Sequence, residues 1–413
     1  MDKFHNKEQK KGNLLGRIYF YLFLNPILLV LLLGCSAPSP KNQNKVKDDL
    51  YIIDVESVYE KTEDILLSEV STNINYIPLE TLPDNLLSGI NQIEITESYI
   101  FVSDRNKLLQ FTREGRFIRQ IGNIGRGPGE YTSIMNFAIN EESNMILVNG
   151  EHRFNMYDLN GNFKHEIHNP PGGSFIIYKP NRIAFYCINY TGQPINLIIT
   201  DQELKPLFEF QNHDPRPQTS LKFNAPLYSY DKELYIKENF NDTLFSVKDS
   251  VQLAHIIFNE KELLLDKDFD LISTGNVSDL IDQIDKVKNK LMTKSIFESK
   301  RFVFTEYKIG VGPRDVRYMR VLFDKKSNNT YATDNDGFIN DVDGGVKIWP
   351  LKICQDSLMV NYLDAFAFKD YVSTDAFKNS NPKYPEKKKQ LEQLANSLDI
   401  NDNPVLMLVK LKE

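Results

Sequence analysis

The sequence predicts an all-β fold: a six-bladed β-propeller with small helical insertions, preceded by a lipoprotein signal peptide. Three observations lead to this prediction: an internal repeat with an offset of 46 residues, short alternating strand patterns separated by turn residues, and an apolar leader that ends in a cysteine. A repeat of that length with several strands per unit is typical of one propeller blade. After about 70 residues of helix and loop are set aside, the region from residue 50 onward holds about six such units.

Residues 1–34 have the pattern of a secretory signal peptide. A basic segment precedes an apolar run from Ile18 to Leu33, Pro26 interrupts this run, and the sequence Leu32-Leu33-Gly34-Cys35 closes it. The run is short and broken for a membrane span, and its end resembles a bacterial lipobox. We therefore expect cleavage before Cys35 and lipidation of its thiol, which would anchor the protein to the outer membrane. An uncleaved signal anchor is the alternative.

Residues 35–49 are rich in Pro, Ser, Asn and Lys and have no apolar periodicity, so they predict a lipidated cysteine followed by a flexible tether. The propeller is expected over residues 50–413. After cleavage the chain would carry 44 basic and 54 acidic residues, a formal charge of −10. That balance disfavours a nucleic-acid partner.

The clearest repeat places residues 101–121 over residues 147–167 without a gap. Matching apolar, aromatic and turn positions are Val102 with Val148, Phe111 with Tyr157, Gly115 with Gly161, Phe117 with Phe163, and Ile121 with Ile167. Each unit has strands separated by a polar turn and by a hairpin turn at the glycine. These two units are therefore predicted to be consecutive blades.

Weaker copies of the pattern follow along the chain. They comprise Leu197–Phe210, Leu234–Phe258, Val316–Asp334 with Phe338–Trp349, and Leu351–Phe368. Two terminal segments remain as strongly apolar strand candidates, Asn73–Glu80 and Val405–Leu411. One blade built from both ends of the chain would close the ring and remove its exposed sheet edge.

Two segments interrupt the strand pattern and predict helices. Within an insertion at about 259–300, Ser278 precedes apolar residues at helical spacing, as an N-cap does. A C-terminal helix at about 385–398 begins at Pro385, a residue favoured in the first helical turn. We expect both helices to cover part of the scaffold.

Only Cys187 and Cys354 would remain after Cys35. A long-range disulfide and two separate thiols are both compatible with the sequence, because it does not show whether their Cβ atoms approach each other.

Four motifs resemble those of the six-bladed β-propeller lipoproteins of Bacteroidota, which are similar in shape to NHL-repeat proteins. They are Ile77-Pro78-Leu79-Glu80-Thr81, Gly125-Arg126-Gly127-Pro128-Gly129-Glu130-Tyr131, Asn241-Asp242-Thr243-Leu244-Phe245 and Asp402-Asn403-Pro404-Val405-Leu406. The resemblance spans nearly all of the chain after the tether. It implies a six-bladed propeller in the cell envelope and no particular activity, since that family has none established. Periplasmic and surface-facing orientations both remain open.

The strongest local signal for a binding site is the loop with the sequence GRGPGEY. Its three glycines allow close backbone approach, and Pro128 fixes a turn between them. Loops at one face of a rigid scaffold often carry binding residues, so we predict Arg126, Glu130 and Tyr131 as binding residues at the channel mouth. The alternative is a blade-to-blade crossover in which these residues serve loop geometry.

The sequence contains only weak signals for metal binding or catalysis. Asp334-Asn335-Asp336-Gly337 and Asp341-Val342-Asp343-Gly344 each lack one ligand of a calcium loop, and such stretches are more often hairpin turns. The sequence contains neither a Gly-x-Ser-x-Gly elbow nor a His-Glu-x-x-His pair. We therefore predict no catalytic residues, no metal ligands and no cofactor.

These observations favour a lipid-anchored module of the envelope that binds or scaffolds, with an envelope protein or an extracellular glycan or peptide ligand as its partner. The alternative is a lactonase-like or lyase-like propeller enzyme. Such an enzyme would gather oxygen ligands from several innermost strands around an axial metal.

Cys35→Ala is expected to abolish incorporation of radiolabelled palmitate, because lipidation requires the thiol of the lipobox cysteine. Labelling of the wild type, Cys35→Ala and the control Cys187→Ala in growing cells measures this. Equal labelling of all three proteins would contradict the anchor.

Overall fold

In a computed structural model, six β-sheets form the blades of a propeller, and a short two-stranded pair joins two of them. The structure describes residues 50–151, 153–168, 171, 173–187, 195–211, 226–238, 241–263, 287–310, 317–333 and 336–413. The predicted signal peptide, Cys35, the tether and the helix after Ser278 lie outside these residues. No helix among the described residues is both long and apolar enough to cross a membrane.

The N-terminal segment contains β1 (Tyr51–Ile53), α1 (Val55–Val58), α2 (Leu67–Val70) and β2 (Ser71–Pro78). We call residues 51–78 the strap, because they follow the outside of three blades. Blade 1 comprises β3 (Gln92–Ile95), β4 (Tyr99–Ser103), β5 (Leu108–Thr112) and β6 (Phe117–Gln120). The short parallel pair β7 (Asn123–Ile124) and β8 (Glu130–Tyr131) follows it.

The next three blades are regular antiparallel sheets. Blade 2 has β9 (Asn136–Asn140), β10 (Met145–Asn149), β11 (Arg153–Tyr157) and β12 (Phe163–His168). Blade 3 has β13 (Ser174–Lys179), β14 (Arg182–Tyr186), β15 (Ile195–Thr200) and β16 (Pro206–Gln211). Blade 4 has β17 (Leu227–Tyr230), β18 (Glu233–Lys237), β19 (Thr243–Lys248) and β20 (Val251–Phe258), and β1 pairs in parallel with β20.

The last two blades carry the long strands and the helices. Blade 5 has β21 (Leu291–Glu298), β22 (Phe302–Ile309), β23 (Arg317–Asp324) and β24 (Asn329–Thr333). Blade 6 has β25 (Lys352–Cys354), β26 (Leu358–Leu363) and, after α3 (Ala365–Ser373), α4 (Asp375–Asn379) and α5 (Pro385–Ser397), β27 (Val405–Leu411). The predicted C-terminal helix is therefore confirmed. The innermost strands β3, β9, β13, β17, β21 and β25 are neighbours in a closed ring.

The ring is closed by pairing the two ends of the described chain, as predicted. Strand β2 lies antiparallel to β27, with Ser71 opposite Leu411 and Pro78 opposite Val405, and becomes the outer strand of blade 6. Next to this seam the amide of buried Asn403 donates to the Glu80 carbonyl oxygen over 3.0 Å. Two of the four motifs quoted above thus meet at the closure.

Each blade is buried on both faces, because alternate residues of a strand point to opposite neighbours. In β4, Ile100 and Val102 pack in a cluster with blade 6, whereas Phe101 packs with blade 2. Six apolar clusters of this kind fill the six gaps between blades. The Tyr and Phe side chains in these clusters fill the gaps between sheets.

The 46-residue repeat corresponds to blades 1 and 2. Gly115 and Gly161 occupy the same hairpin in these blades, with φ of +84° and +79°. A Cβ atom at Gly115 would lie 2.2 Å from the Pro78 carbonyl oxygen, whereas the nearest atom to one at Gly161 would be a side-chain methyl of Ile121 at 3.2 Å. The first glycine therefore serves both turn geometry and a close approach to the closing strand.

Three parts of the sequence interpretation are corrected. Residues 291–298, placed in a helical insertion at about 259–300, form strand β21 because Leu291 and Ile296 are needed in the gap facing blade 4. Phe338–Trp349 belongs to the connection between blades 5 and 6, with one isolated bridge from Phe338 to Ile348. Phe368 lies in helix α3 and packs among the helices.

Cys187 and Cys354 are free thiols in blades 3 and 6.

A buried polar cluster joins blades 4 and 5. The carboxylate of Glu298 is fully buried, 3.0 Å from His255 Nε2 and 2.6 Å from Lys325 Nζ, and accepts a hydrogen bond from the Tyr228 hydroxyl at 2.8 Å. Burial alone would raise the pKa of Glu298, but the hydrogen bond from His255 and the charge of Lys325 bring it below its ordinary value. The carboxylate is therefore ionised and paired in the folded protein.

Gly115→Ala should lower the free energy of unfolding by more than Gly161→Ala. Positive φ costs each variant roughly 1 kcal/mol. The contact with Pro78 should add about 1–3 kcal/mol at position 115 alone. Thermal melting of both variants tests this, with exposed Arg116→Ala as a control expected to change stability by less than about 0.5 kcal/mol. Equal losses at the two glycines would contradict the role given to the Pro78 contact.

Glu298→Gln should lower the free energy of unfolding by roughly 3–5 kcal/mol at pH 7, because it leaves Lys325 buried without its counter-charge. Since the folded-state pKa of Glu298 is lowered, its contribution is present above the ordinary pKa of 4.5 and is lost as pH falls through the folded-state value. Urea unfolding at neutral and acidic pH measures both effects. Glu413→Gln, which breaks an exposed pair with Lys300, should have little effect. A difference from the wild type that persists unchanged in acid would contradict this account.

Candidate functional site

The two faces of the ring differ in the length of their connections. Strands alternate in direction, so the turn between the first and second strands of a blade and the turn between its third and fourth strands lie on the same face. In blade 1 these turns are residues 96–98 and 113–116. The described parts of the blade-to-blade connections and of the turns between second and third strands lie on the other face, which we call the crossover face. Residues 364–404, with helices α3, α4 and α5, connect β26 to β27 on this face. Long connections on a rigid frame are where binding residues are usually found.

The loop with the sequence GRGPGEY crosses from blade 1 to blade 2 on this face, but Tyr131 is fully buried. Its hydroxyl donates to the Ile121 carbonyl oxygen over 2.8 Å, and its ring packs in the cluster between these two blades. Burial raises the pKa of Tyr131. Tyr131 is therefore placed as a core residue of the crossover, and a ligand at the channel mouth would not reach it.

The same loop encloses the carboxylate of Glu130. A Glu130 oxygen accepts the Gly127 amide at 2.7 Å, and a Cβ atom at Gly125 would lie 2.0 Å from that carboxylate. The glycines thus allow the backbone to wrap a side chain of its own loop. Arg126 is exposed. Among the three predicted binding residues, Arg126 is the one whose side chain makes no described contact within the loop. Its binding role stays a prediction.

A cavity of about 670 Å³ lies elsewhere on the crossover face. It is lined by Arg320 of blade 5, by Tyr371 and Ser380 of the helical insertion, and by seven residues of the connection to blade 6: Asp336, Ile339, Asn340, Gly344, Gly345, Val346 and Lys347. Its volume is within the range of small-molecule sites, which have roughly 300–1,000 Å³. Three separate parts of the chain therefore converge on one concave site.

Arg320 is one of three charged residues that line this cavity, with Asp336 and Lys347. It lies in β23 on the face that packs against blade 6, and Nη2 is 3.1 Å from Glu306 Oε1. The other oxygen of Glu306 pairs with Lys294 at 2.8 Å, so two cations share one buried carboxylate. Nε and Nη1 of Arg320 are buried and have no hydrogen-bond partner among the described residues. The guanidinium is 5.8 Å from the ring of Trp349, whose Nε1 also has no such partner.

The closing strand holds the part of the cavity wall that contains Asn340 and Gly345. The Tyr76 hydroxyl of β2 donates to Asp343 over 3.2 Å, and the Asn340 amide lies 3.3 Å from that hydroxyl. The amide of Gly345 donates to the same Asp343 oxygen at 2.9 Å. Burial raises the pKa of Asp343, and the hydrogen bonds from Gly345, Tyr76 and Asn340 limit the rise. The Tyr371 hydroxyl contacts the Gly344 and Gly345 carbonyl oxygens from the helical side.

Both possible calcium loops contribute to this wall. Asp341 accepts hydrogen bonds from the amide and hydroxyl of Ser68 and pairs with Lys383 at 3.0 Å. These contacts tie the strap and the helices to the connection, and Gly344 has the positive φ of a turn residue. Asp334 and Asn335 lie outside the described residues. Across the described residues, no group of three His, Cys, Asp or Glu side chains could hold a metal ion.

Sequence reasoning did not identify Arg320 or Trp349, although both left a signal. Propeller strands are buried on both faces, so an ionisable residue in the middle of Met319-Arg320-Val321-Leu322-Phe323 requires a partner. Trp349 is the single tryptophan of the chain. Pairing of Arg320 with Glu306 depends on strand register, which one sequence does not provide.

The family described as domain of unknown function DUF4934 matches residues 50–410, and the chain therefore belongs to this family. The sequence matches no curated protein. Among solved structures, the chain is similar to a protein of Bacteroides fragilis NCTC 9343 named for its inferred export, with a TM-score of 0.66 and 19% identity over 88% of this chain and 99% of that one. This similarity supports the fold.

Two further structures are less similar. A protein of unknown function from Bacteroides caccae has a TM-score of 0.34 and 11% identity, over 64% of this chain and 82% of that chain. The Pan2 WD40 domain of Neurospora crassa has a TM-score of 0.36 and 10% identity, over 67% of this chain and 75% of that chain. The lipid anchor and the relation to NHL-repeat proteins stay predictions.

Proposed function

We propose that this member of the DUF4934 family is a lipid-anchored module of the outer membrane that binds an extracellular glycan or peptide ligand, or an envelope protein, through its crossover face. Binding requires no chemistry of its own. The observation that carries the proposal is the difference between the two faces of the ring. One has short turns, and the other gathers the long connections, the helical insertion and the 670 Å³ cavity.

The place of this function in the envelope rests on the sequence and on one structural relative. The apolar leader ending at Cys35 is a secretion and lipidation signal. The Bacteroides fragilis protein with the same fold is itself named for its inferred export. Both observations favour a protein that acts outside the cytoplasm, facing the periplasm or the cell surface.

Two exposed apolar side chains provide positions at which the choice of face can be tested. Phe366 in helix α3 is 62% exposed and Met135, directly before β9, is 57% exposed, and both lie on the crossover face. Large exposed apolar side chains are available to a partner that covers this face. The two residues stand at separate blades, so a partner that touches both would cover the ring from blade 6 to blade 2.

Photo-crosslinking in intact cells tests this proposal. A photoreactive phenylalanine derivative placed at Phe366 or Met135 should give discrete crosslinked products with a ligand or partner, because both positions are exposed on the proposed binding face. The same group at Val251, which is 52% exposed on the opposite face, is the matched control. Equal crosslinking from both faces, or none at Phe366 and Met135 under several growth conditions, would contradict the proposal.

A further inference from the structure

We propose that the groove between β2 and α5 binds an extended peptide, which adds to blade 6 as a further strand. This inference rests on the proposed binding function and gives it a ligand class, an uncharged peptide that is recognised through its backbone. The groove has a volume of about 390 Å³. Residues 74–77 of β2 line one side, and the side chains that α5 contributes are Lys387, Gln390, Leu391 and Leu394.

Strand β2 presents its free edge to this groove. It is the outermost strand of blade 6 and pairs with β27 on one side. Successive side chains of a strand point to opposite faces of the sheet, so a groove lined by four consecutive residues runs along the edge of the strand. Another chain can pair with such an edge through main-chain hydrogen bonds. Helix α5 then forms the outer wall of a place for one more strand.

The register of β2 shows which peptide groups face the groove. The Leu79 amide donates to the Pro404 carbonyl oxygen at 3.2 Å, and the pairing with β27 has no shift from Asn73 to Pro78. In an antiparallel ladder, residues that bond the partner strand alternate with residues whose peptide groups point away from it. The even-numbered residues of β2 therefore point outward. As this direction requires, the Ile74 carbonyl oxygen accepts a hydrogen bond from Lys387 Nζ of α5 at 3.4 Å.

Three of the outward peptide groups have no hydrogen-bond partner among the described residues. They are the N–H of Ile74 and both the N–H and the carbonyl of Tyr76. Main-chain polar groups require partners, and a second extended chain supplies a donor and an acceptor to the same edge residue. A peptide strand would therefore satisfy the groups that α5 leaves unpaired.

The length of the free edge sets the length of the peptide. At a rise of about 3.3 Å per residue, residues 74–77 span about 10 Å and face roughly four residues of an added strand. Pro78 ends the edge, because it has no N–H and its carbonyl oxygen would lie 2.2 Å from a Cβ atom at Gly115. The site therefore takes a short segment of extended chain.

Charge and burial indicate which side chains the peptide carries. Asp343 and Lys387 are the charged residues of the lining, and their formal charges cancel. Burial raises the pKa of Asp343, and the charge of Lys387 counters that rise. The groove therefore complements a peptide without net charge. Leu391 is buried and Ile77 and Leu394 are half-buried, so alternate apolar side chains of an added strand would pack against them.

Selection from a peptide library tests this site. The full-length protein in detergent is panned with random seven-residue peptides displayed on phage, and the enriched sequences are synthesised and titrated. Gln390→Trp places an indole in the groove, whereas the matched control Gln393→Trp places one at an exposed position of α5 outside the lining. We expect peptides with alternating apolar residues that bind the wild type and Gln393→Trp equally. They should bind Gln390→Trp roughly tenfold or more weakly.

N-methylated peptides distinguish strand addition from binding through side chains, and they are tested on the wild type, so this result does not depend on a variant. Since alternate amides of a strand face the same edge, methylating one alternate set should abolish binding and methylating the other should not. Thermal melting confirms that both Trp variants are folded.

No enriched peptide, equal binding by Gln390→Trp and Gln393→Trp, or equal effects of the two methylated sets would overturn the strand-addition site. Crosslinks from Phe366 and Met135 together with any of these results would overturn this site alone and leave the proposed function standing.

Discussion

Pairing of β2 with β27 is the interaction on which the rest of this fold depends. A propeller blade has no independent core, because its strands bury side chains on both faces against neighbouring blades. Without the seam, blade 6 would lose its outer strand, and the apolar clusters on both of its sides would face water. The seam therefore couples the stability of all six blades to one antiparallel pair.

The strap extends this constraint around the ring. It begins on blade 4, where Tyr51 of β1 pairs with Ile256, and then passes blade 5, where the Glu63 amide donates to the Ala332 carbonyl oxygen of β24 at 2.9 Å. It ends as the closing strand of blade 6. The hydroxyl of Tyr76 in that strand contacts Asp343 and Asn340, and Asn340 lines the cavity. The same strand, β2, thus closes the ring and supports the wall of the cavity at the proposed site.

Much of the fold was predictable because repeats and termini leave local signals. The 46-residue offset gave the register of blades 1 and 2, apolar runs at both ends gave the closure, and Pro385 marked the start of a helix. Tyr131 shows where this reasoning failed. A tyrosine after a glycine-rich loop suggests an accessible contact, yet the loop folds it into an apolar gap where a backbone carbonyl satisfies its hydroxyl. That partner depends on the tertiary path of the loop, which sequence patterns do not specify.

Buried charges divide into two groups according to whether their donors and acceptors are satisfied. Lys237 is 1% exposed, but its ammonium donates to the Asn241 carbonyl oxygen, the Thr293 hydroxyl and Glu260. All three donors are used, so this group joins blades 4 and 5 as a structural contact. Arg320 is also placed between blades, but within the described ranges only one of its nitrogens has an acceptor, and its side chain borders an open cavity. Both residues carry the desolvation cost of a charge, so the number of satisfied donors separates the Lys237 contact that joins blades 4 and 5 from a buried cation with donors left unpaired.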